Sequence, residues 1–135
     1  MFLFLDVISP IPEFFIIEDN KVIFQSKIIK NESEKLSDNI FESFLELNKV
    51  LNLTTNLKKI AMTVGPGSYT SLRVGASFLS GLKMSKDLVF CPISIVDILI
   101  FKSNIIKDKK IAAFISSGKK QFFLCSFNHK KKLNI

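Results

Sequence analysis

"VGPGSYTSLRVGASFLSGL", Val64 to Leu82, decides the fold of this chain. It joins a turn-rich opening, Gly65-Pro66-Gly67-Ser68, to a run that is apolar on most sides. Two readings compete: a loop whose amides hold a phosphate, or a tight approach into a helix that must pack closely. The preceding "KIAMTV" reads as a buried strand, Lys59–Val64, and the following residues as a helix from about Thr70 to Lys83.

The phosphate reading lacks its usual parts. A Walker loop needs Gly-x-x-x-x-Gly-Lys-Ser/Thr, and no such lysine follows here. The dinucleotide fingerprint fails because Thr70 stands where its third glycine belongs. What remains is a helix start with amide donors and the hydroxyls of Ser68 and Thr70. Asp6, at the end of the first apolar run, sits where sheet-based phosphotransferases hold a metal-bound phosphate. Asp6, Gly65, Gly67, Ser68 and Thr70 are therefore the candidate nucleotide or phosphate contacts, set against the plainer reading of a structural turn and caps.

Other chemistry finds no team. The single histidine, His129, lies in a basic tail, so a histidine-rich zinc site cannot be assembled. Cys91 and Cys125 sit in apolar segments without a histidine partner and read as reduced, buried thiols. Gly-Pro-Gly-Ser is not the Gly-x-Ser-x-Gly of a nucleophile elbow. We expect no catalytic residue and no metal.

The helix gives the stronger signal. At about 100° per residue, Leu72, Val74, Gly75, Ala76, Phe78, Leu79, Gly81 and Leu82 cover more than half of its circumference, leaving Arg73, Ser77, Ser80 and Lys83 to a narrow strip. Such a helix faces two buried surfaces. One is its own sheet; the small residues suggest that the other is a subunit interface, against the alternative of complete burial within one domain.

Around this segment the chain alternates strands and helices. Phe2–Leu5, Phe14–Ile17 and Lys21–Ile29 form a strand meander, with Asp19-Asn20 as a hairpin turn. Leu36, Ile40, Phe44, Leu47 and Leu51 mark one face of a helix over Leu36–Leu51, with Ser33 as its expected cap. Leu88–Ile93 reads as a strand, Ser94–Ser103 as a helix capped by Ser94, and Lys110–Ser116 with Gln121–Phe127 as paired strands. This order predicts an α/β layer with a mixed sheet.

Bulk properties agree with one principal domain of 135 residues, 47% hydrophobic, with fourteen Phe and no Trp. Lys and Arg number 19 against 12 acidic residues, a net charge of +7. The excess gathers in Lys107, Lys109, Lys110, Lys119, Lys120, Lys130, Lys131 and Lys132, which reads either as a polyanion-binding surface, RNA included, or as a solvated basic tail. "MFLFLDVISPIP" has no basic start and meets Asp6 at once, unlike a signal peptide. No apolar run reaches the roughly 18–20 residues of a membrane span, so a cytoplasmic protein without a membrane partner is expected.

"AMTVGPGSYTSLRVGASFLSGL" resembles the signature of the TsaB family, also called YeaZ: a strand enters Gly-Pro-Gly-Ser-Phe/Tyr-Thr-Gly-Leu/Val-Arg and continues as a small-residue helix. "FLFLD", "PISIVDIL" and "KIAAFISSGKKQFFLCSF" are similar to the family's first strand, its Gly-Val-Ser-x-Leu segment and the hairpin opening its second lobe. The resemblance spans about residues 1–127. It implies an actin-like, ribonuclease-H-like lobe over 1–106 and a shortened second-lobe hairpin with a basic tail over 107–135. It also implies a non-catalytic subunit in the synthesis of N6-threonylcarbamoyladenosine at tRNA position 37.

The partners so implied are a TsaD-type catalytic subunit, a TsaE-type ATPase and, through the same helices, a second copy of the chain. The tRNA is met indirectly or through the basic end. The interface expected from the resemblance is Ile40, Phe44, Leu47, Leu72, Gly75, Ala76, Leu79 and Leu82. No cofactor belongs to the chain itself, with ATP or ADP a candidate only in a site shared with a partner. Ser71 departs from the family's glycine, the segment before the first helix lacks the usual histidine, and "SSGKK" replaces an Asp-Ala-Arg-like sequence. Two readings of other classes stand beside this one: a minimal actin-like phosphotransferase or ATPase, and a small basic RNA-binding module. Relatives continue into a full second lobe; a two-stranded ribbon alone is marginal, so the hairpin is expected to expose apolar surface in a monomer.

Overall fold

A computed structural model describes residues 1–31, 33–106, 110–118 and 121–128. Three strands open the chain, β1 (Phe2–Asp6), β2 (Glu13–Glu18) and β3 (Lys21–Lys27). Then come α1 (Leu36–Leu51), a four-residue turn of helix α2 (Leu53–Asn56), β4 (Lys59–Val64), α3 (Tyr69–Ser85), β5 (Val89–Ser94) and α4 (Ile95–Ile106). The antiparallel pair β6 (Lys110–Gly118) and β7 (Gln121–Asn128) closes the described chain.

The five-stranded sheet has the order β3-β2-β1-β4-β5, with β1, β2 and β3 antiparallel and β1, β4 and β5 parallel. The β2–β3 turn forms where Asp19 and Asn20 adopt φ of 49° and 61°, a backbone region that Asp and Asn tolerate. The period of two then sorts each strand: Leu3, Leu5, Phe14 and Ile16 are all 0% exposed and face the α1/α3 layer. Each such side chain contributes roughly 1.5–3 kcal/mol when fully buried. Rings of Phe14, Phe44 and Phe78 meet at centroid distances of 5.4 to 6.4 Å and join the sheet to both helices.

The boundaries of α1 and β4 are as the periodicity predicts. Its cap is not. Ser33 turns back, its amide and hydroxyl both donating to Asn31 Oδ1, so the helix starts at Lys35 with no side-chain cap. A local Asx turn has taken the serine first.

Most of the eight residues expected at an interface face inward in this chain. Ile40, Phe44, Leu47 and Leu79 belong to the chain's own core, and Leu72 and Leu82 pack against it half-buried. Gly75 is small because the sheet lies beneath it: a Cβ there would stand 2.7 Å from Met62 Sδ and 3.0 Å from Val7 Cγ1. The second surface covering α3 is α1, whose Phe44 ring meets that of Phe78. Of the eight residues, Ala76 alone is exposed. Apolar periodicity reports that a face is covered and is silent about which chain covers it.

Candidate functional site

The turn into α3 is built from three interlocking pieces. Asp6, at the end of β1, accepts hydrogen bonds at Oδ1 from the amides of Ile8 (3.0 Å) and Ser9 (3.2 Å) and from the hydroxyl of Thr63 (3.1 Å), and at Oδ2 from Ser9 Oγ. Thr63, 0% exposed on β4, accepts in turn from the amide of Val7 at 3.1 Å. The carboxylate thus shapes the loop after β1 and ties it to the neighbouring strand.

Gly65-Pro66 is a cis peptide. Gly67 then passes Ile8 so closely that a Cβ would lie 2.9 Å from Ile8 Cγ1, which leaves no room for another residue without displacement. Ser68 caps α3, accepting from the amide of Ser71 at 3.3 Å and from its hydroxyl at 3.0 Å. The residue that replaces the family's glycine therefore has a place here: Ser71 closes the cap from within the helix.

In front of this turn lies an open cleft of about 650 Å³. Ser68 and Ser71 form one wall with Ile8; Ile95 and Leu99 of α4 and Phe114 and Phe122 of the β6–β7 pair supply apolar walls. Glu34 adds a carboxylate to the lining. Of the five candidate phosphate contacts, Ser68 alone reaches the cleft. Asp6 has both oxygens engaged, Gly67 serves the contact with Ile8, a Cβ added at Gly65 would lie 3.7 Å from Leu72 Cδ1, and Thr70 is exposed on the first turn of α3. The structure does not gather them into one pocket. Sequence reasoning missed Ser71, Glu34 and the two phenylalanines as cleft residues, because only the packing of distant elements brings them together.

The basic end adds little here. Lys107, Lys109, Lys119, Lys120, His129 and Lys130 to Lys132 fall outside the described residues. Among the described residues, no helix is long and apolar enough to cross a membrane.

The outer surface of the helical layer is more informative. Phe41 and Leu45 of α1 are 61% and 40% exposed; Tyr69 and Met84 of α3 are 71% and 90% exposed, with Ala76 between them. The Arg73 guanidinium lies over the Tyr69 ring, 5.3 Å from its centroid. The helices whose inner faces build the core therefore show apolar side chains outward as well.

Comparison with known proteins gives a consistent picture. The family model described as TsaD: tRNA N6-adenosine threonylcarbamoyltransferase matches residues 24–133. No curated protein matches the sequence. Among solved structures, YeaZ from Pseudomonas aeruginosa is similar with a TM-score of 0.71 at 13% identity, covering 94% of this chain and 59% of its own. A Pseudomonas aeruginosa protein described as uncharacterized with similarity to peptidase YEAZ gives 0.72 at 15% identity, with 94% and 58% covered. The chain thus spans somewhat under three fifths of those structures. A mixed sheet in the order β3-β2-β1-β4-β5, a helical layer built from α1 and α3, and a family match over most of its length together make this chain a member of the TsaD family with the actin-like fold of YeaZ.

Proposed function

We infer that this chain is a non-catalytic subunit in the synthesis of N6-threonylcarbamoyladenosine at tRNA position 37, working in the cytoplasm by binding a TsaD-type catalytic subunit. The observation that carries the reading is the apolar outer face of the α1/α3 layer, where Phe41, Leu45, Tyr69, Ala76 and Met84 stand in solvent. Exposed large apolar side chains grouped on two adjoining helices favour a protein partner. Tyr and Arg together, as at Tyr69 and Arg73, are the side chains that most often dominate such contacts.

The turn supports the same role. Its polar groups are occupied in shaping the approach to α3, with Asp6 holding the β1 loop and Ser68 capping the helix. Any ATP or ADP belongs, in this reading, to a site shared with the catalytic subunit, and the TsaE-type ATPase joins through that complex.

Co-purification with the TsaD-type subunit tests the reading. Ala76→Arg and Phe41→Glu alter exposed positions, so both variants keep the wild-type thermal midpoint and lose most of the recovered complex. Undiminished recovery with both would overturn it.

A further inference from the structure

The outer surface of the helical layer is divided by charge. α1 holds Asp38, Glu42 and Glu46 against Lys49, whereas α3 holds Arg73 and Lys83 and no acidic residue. All six side chains are exposed. Asp38 lies in the first turn, where a negative charge favours the helix, but Glu42 and Glu46 lie beyond it. At steps of four, the three carboxylates also repel one another along a single row. Glu42 and Glu46 make no ion pair or hydrogen bond among the described residues. The row thus weakens α1 and holds no other described residue in place.

The two sets of charges stand at opposite margins of the layer. The Phe44 ring of α1 meets the Phe78 ring of α3, which fixes the sides that the helices turn to each other. At about 100° per residue, Asp38, Glu42 and Glu46 lie roughly 120–160° round α1 from Phe44, and Arg73 and Lys83 about 140° round α3 from Phe78. The outer surface between these margins is uncharged. Phe41 and Leu45 of α1 and Ser77, Gly81 and Met84 of α3 are all exposed there. A Cβ added at Gly81 would meet nothing within 4 Å, so this middle strip is open to close approach from outside.

A charged rim about an uncharged middle is the layout of a protein interface, and charges in a fixed order set the direction of approach. Resting on the assignment of this layer to a catalytic subunit, we propose that Asp38, Glu42, Glu46, Arg73 and Lys83 determine how that subunit docks. Its contact face carries basic side chains over the α1 margin and acidic ones over the α3 margin. The reversed orientation would set like charges together on both sides, so one way of docking is selected. A nucleic acid does not fit this surface, because its phosphates would meet the carboxylate row of α1.

Stopped-flow association of the full chain with the TsaD-type subunit, over a salt series, tests it. The wild-type association rate should fall roughly tenfold from low to high salt as the margins are screened. Glu42→Lys with Glu46→Lys, and separately Arg73→Glu with Lys83→Glu, should each slow association about tenfold at low salt. Glu18→Lys with Asp97→Lys changes the net charge as much as the first pair does, but on β2 and α4, and should leave the rate within about twofold. Thermal midpoints identify a reversed variant that fails to fold. Glu42→Gln with Glu46→Gln, close in shape to the wild type, then decides: it should flatten the salt dependence, and an unchanged slope overturns the proposal. So do reversed pairs that associate like the wild type, or an equal slowing by the Glu18 and Asp97 pair. If Phe41→Glu still abolishes the complex in those cases, the assignment of the layer stands and the charge order alone fails. If Phe41→Glu and Ala76→Arg both spare the complex, the assignment falls and the proposal with it. Reversed pairs that dissociate a dimer of this chain and spare the complex also overturn the proposal, giving the charges to a second copy.

Discussion

Gly75 of α3 and Met62 of β4 touch so closely that the Cβ of any larger residue would lie 2.7 Å from Met62 Sδ. This contact sets the distance between helix and sheet. Six residues further along the same helix, a Cβ added at Gly81 would meet nothing within 4 Å. Gly75→Leu should therefore destabilise the fold by about 1–3 kcal/mol, through overpacking against the Met62, Val7 and Leu5 side chains. Gly81→Ala should stabilise it by about 0.5–1 kcal/mol, because the helix gains propensity without a clash. Chemical denaturation of the two variants checks both signs.

Asp6→Ala removes the acceptor for two amides and two hydroxyls, including that of the fully buried Thr63. Leaving those donors unmatched costs about 1–3 kcal/mol. A loss of thermal stability is expected, with amide exchange rising first at Val7, Ile8 and Ser9. An Asp6→Ala protein as stable as the wild type would show that the carboxylate is not the organiser of this loop.

Ser68→Ala deletes the cap of α3 and should cost about 1 kcal/mol. Because Ser71 donates to Ser68 through both its amide and its hydroxyl, Ser71→Gly should weaken the same turn. The double variant should lose less than the sum of the two, since the residues share one contact. A denaturant-based double-mutant cycle measures the difference.

Phe44 and Phe41 separate stability from recognition on a single helix. Phe44 is 2% exposed and meets the rings of Phe14 and Phe78, so Phe44→Ala should cost about 3–5 kcal/mol. Phe41 is 61% exposed, and Phe41→Ala should shift stability by no more than about 0.5 kcal/mol. If α1 meets a catalytic subunit through its outer face, Phe41→Ala still weakens that complex in a titration followed by calorimetry.

The strands and long helices were legible because each carries its own period. Leu36 to Leu51 repeats apolar residues at helical steps, and Lys59–Val64 is a compact apolar run between a lysine pair and a glycine turn. The short α2 escaped because four residues are too few to show a period. Ser33 was misassigned because nothing in the sequence ranks a helix cap above the Asx turn that Asn31 offers two residues earlier. The candidate site was less legible. Gly67 and Ser68 were read as special for the right local reason, yet the partners that explain them, Ile8 and Ser71, belong to the tertiary arrangement and to a departure from the family pattern. The pattern that marked Ile40, Phe44 and Leu79 as covered holds equally for a core and for a contact, and here they lie in the chain's own core.

The position of β1 in the sheet has a consequence for biosynthesis. Phe2–Asp6 precedes the other described strands, but it lies between β2 and β4, and the Leu3–Ile60 pairing waits for more than half a hundred further residues to be translated. Until then the nascent meander has Leu3, Leu5, Phe14 and Ile16 without the parallel half of the sheet, and of the two covering helices α3 is still to be made. Such non-local pairing slows folding. A growing polypeptide with greasy strands awaiting their lid is a natural client for ribosome-associated chaperones.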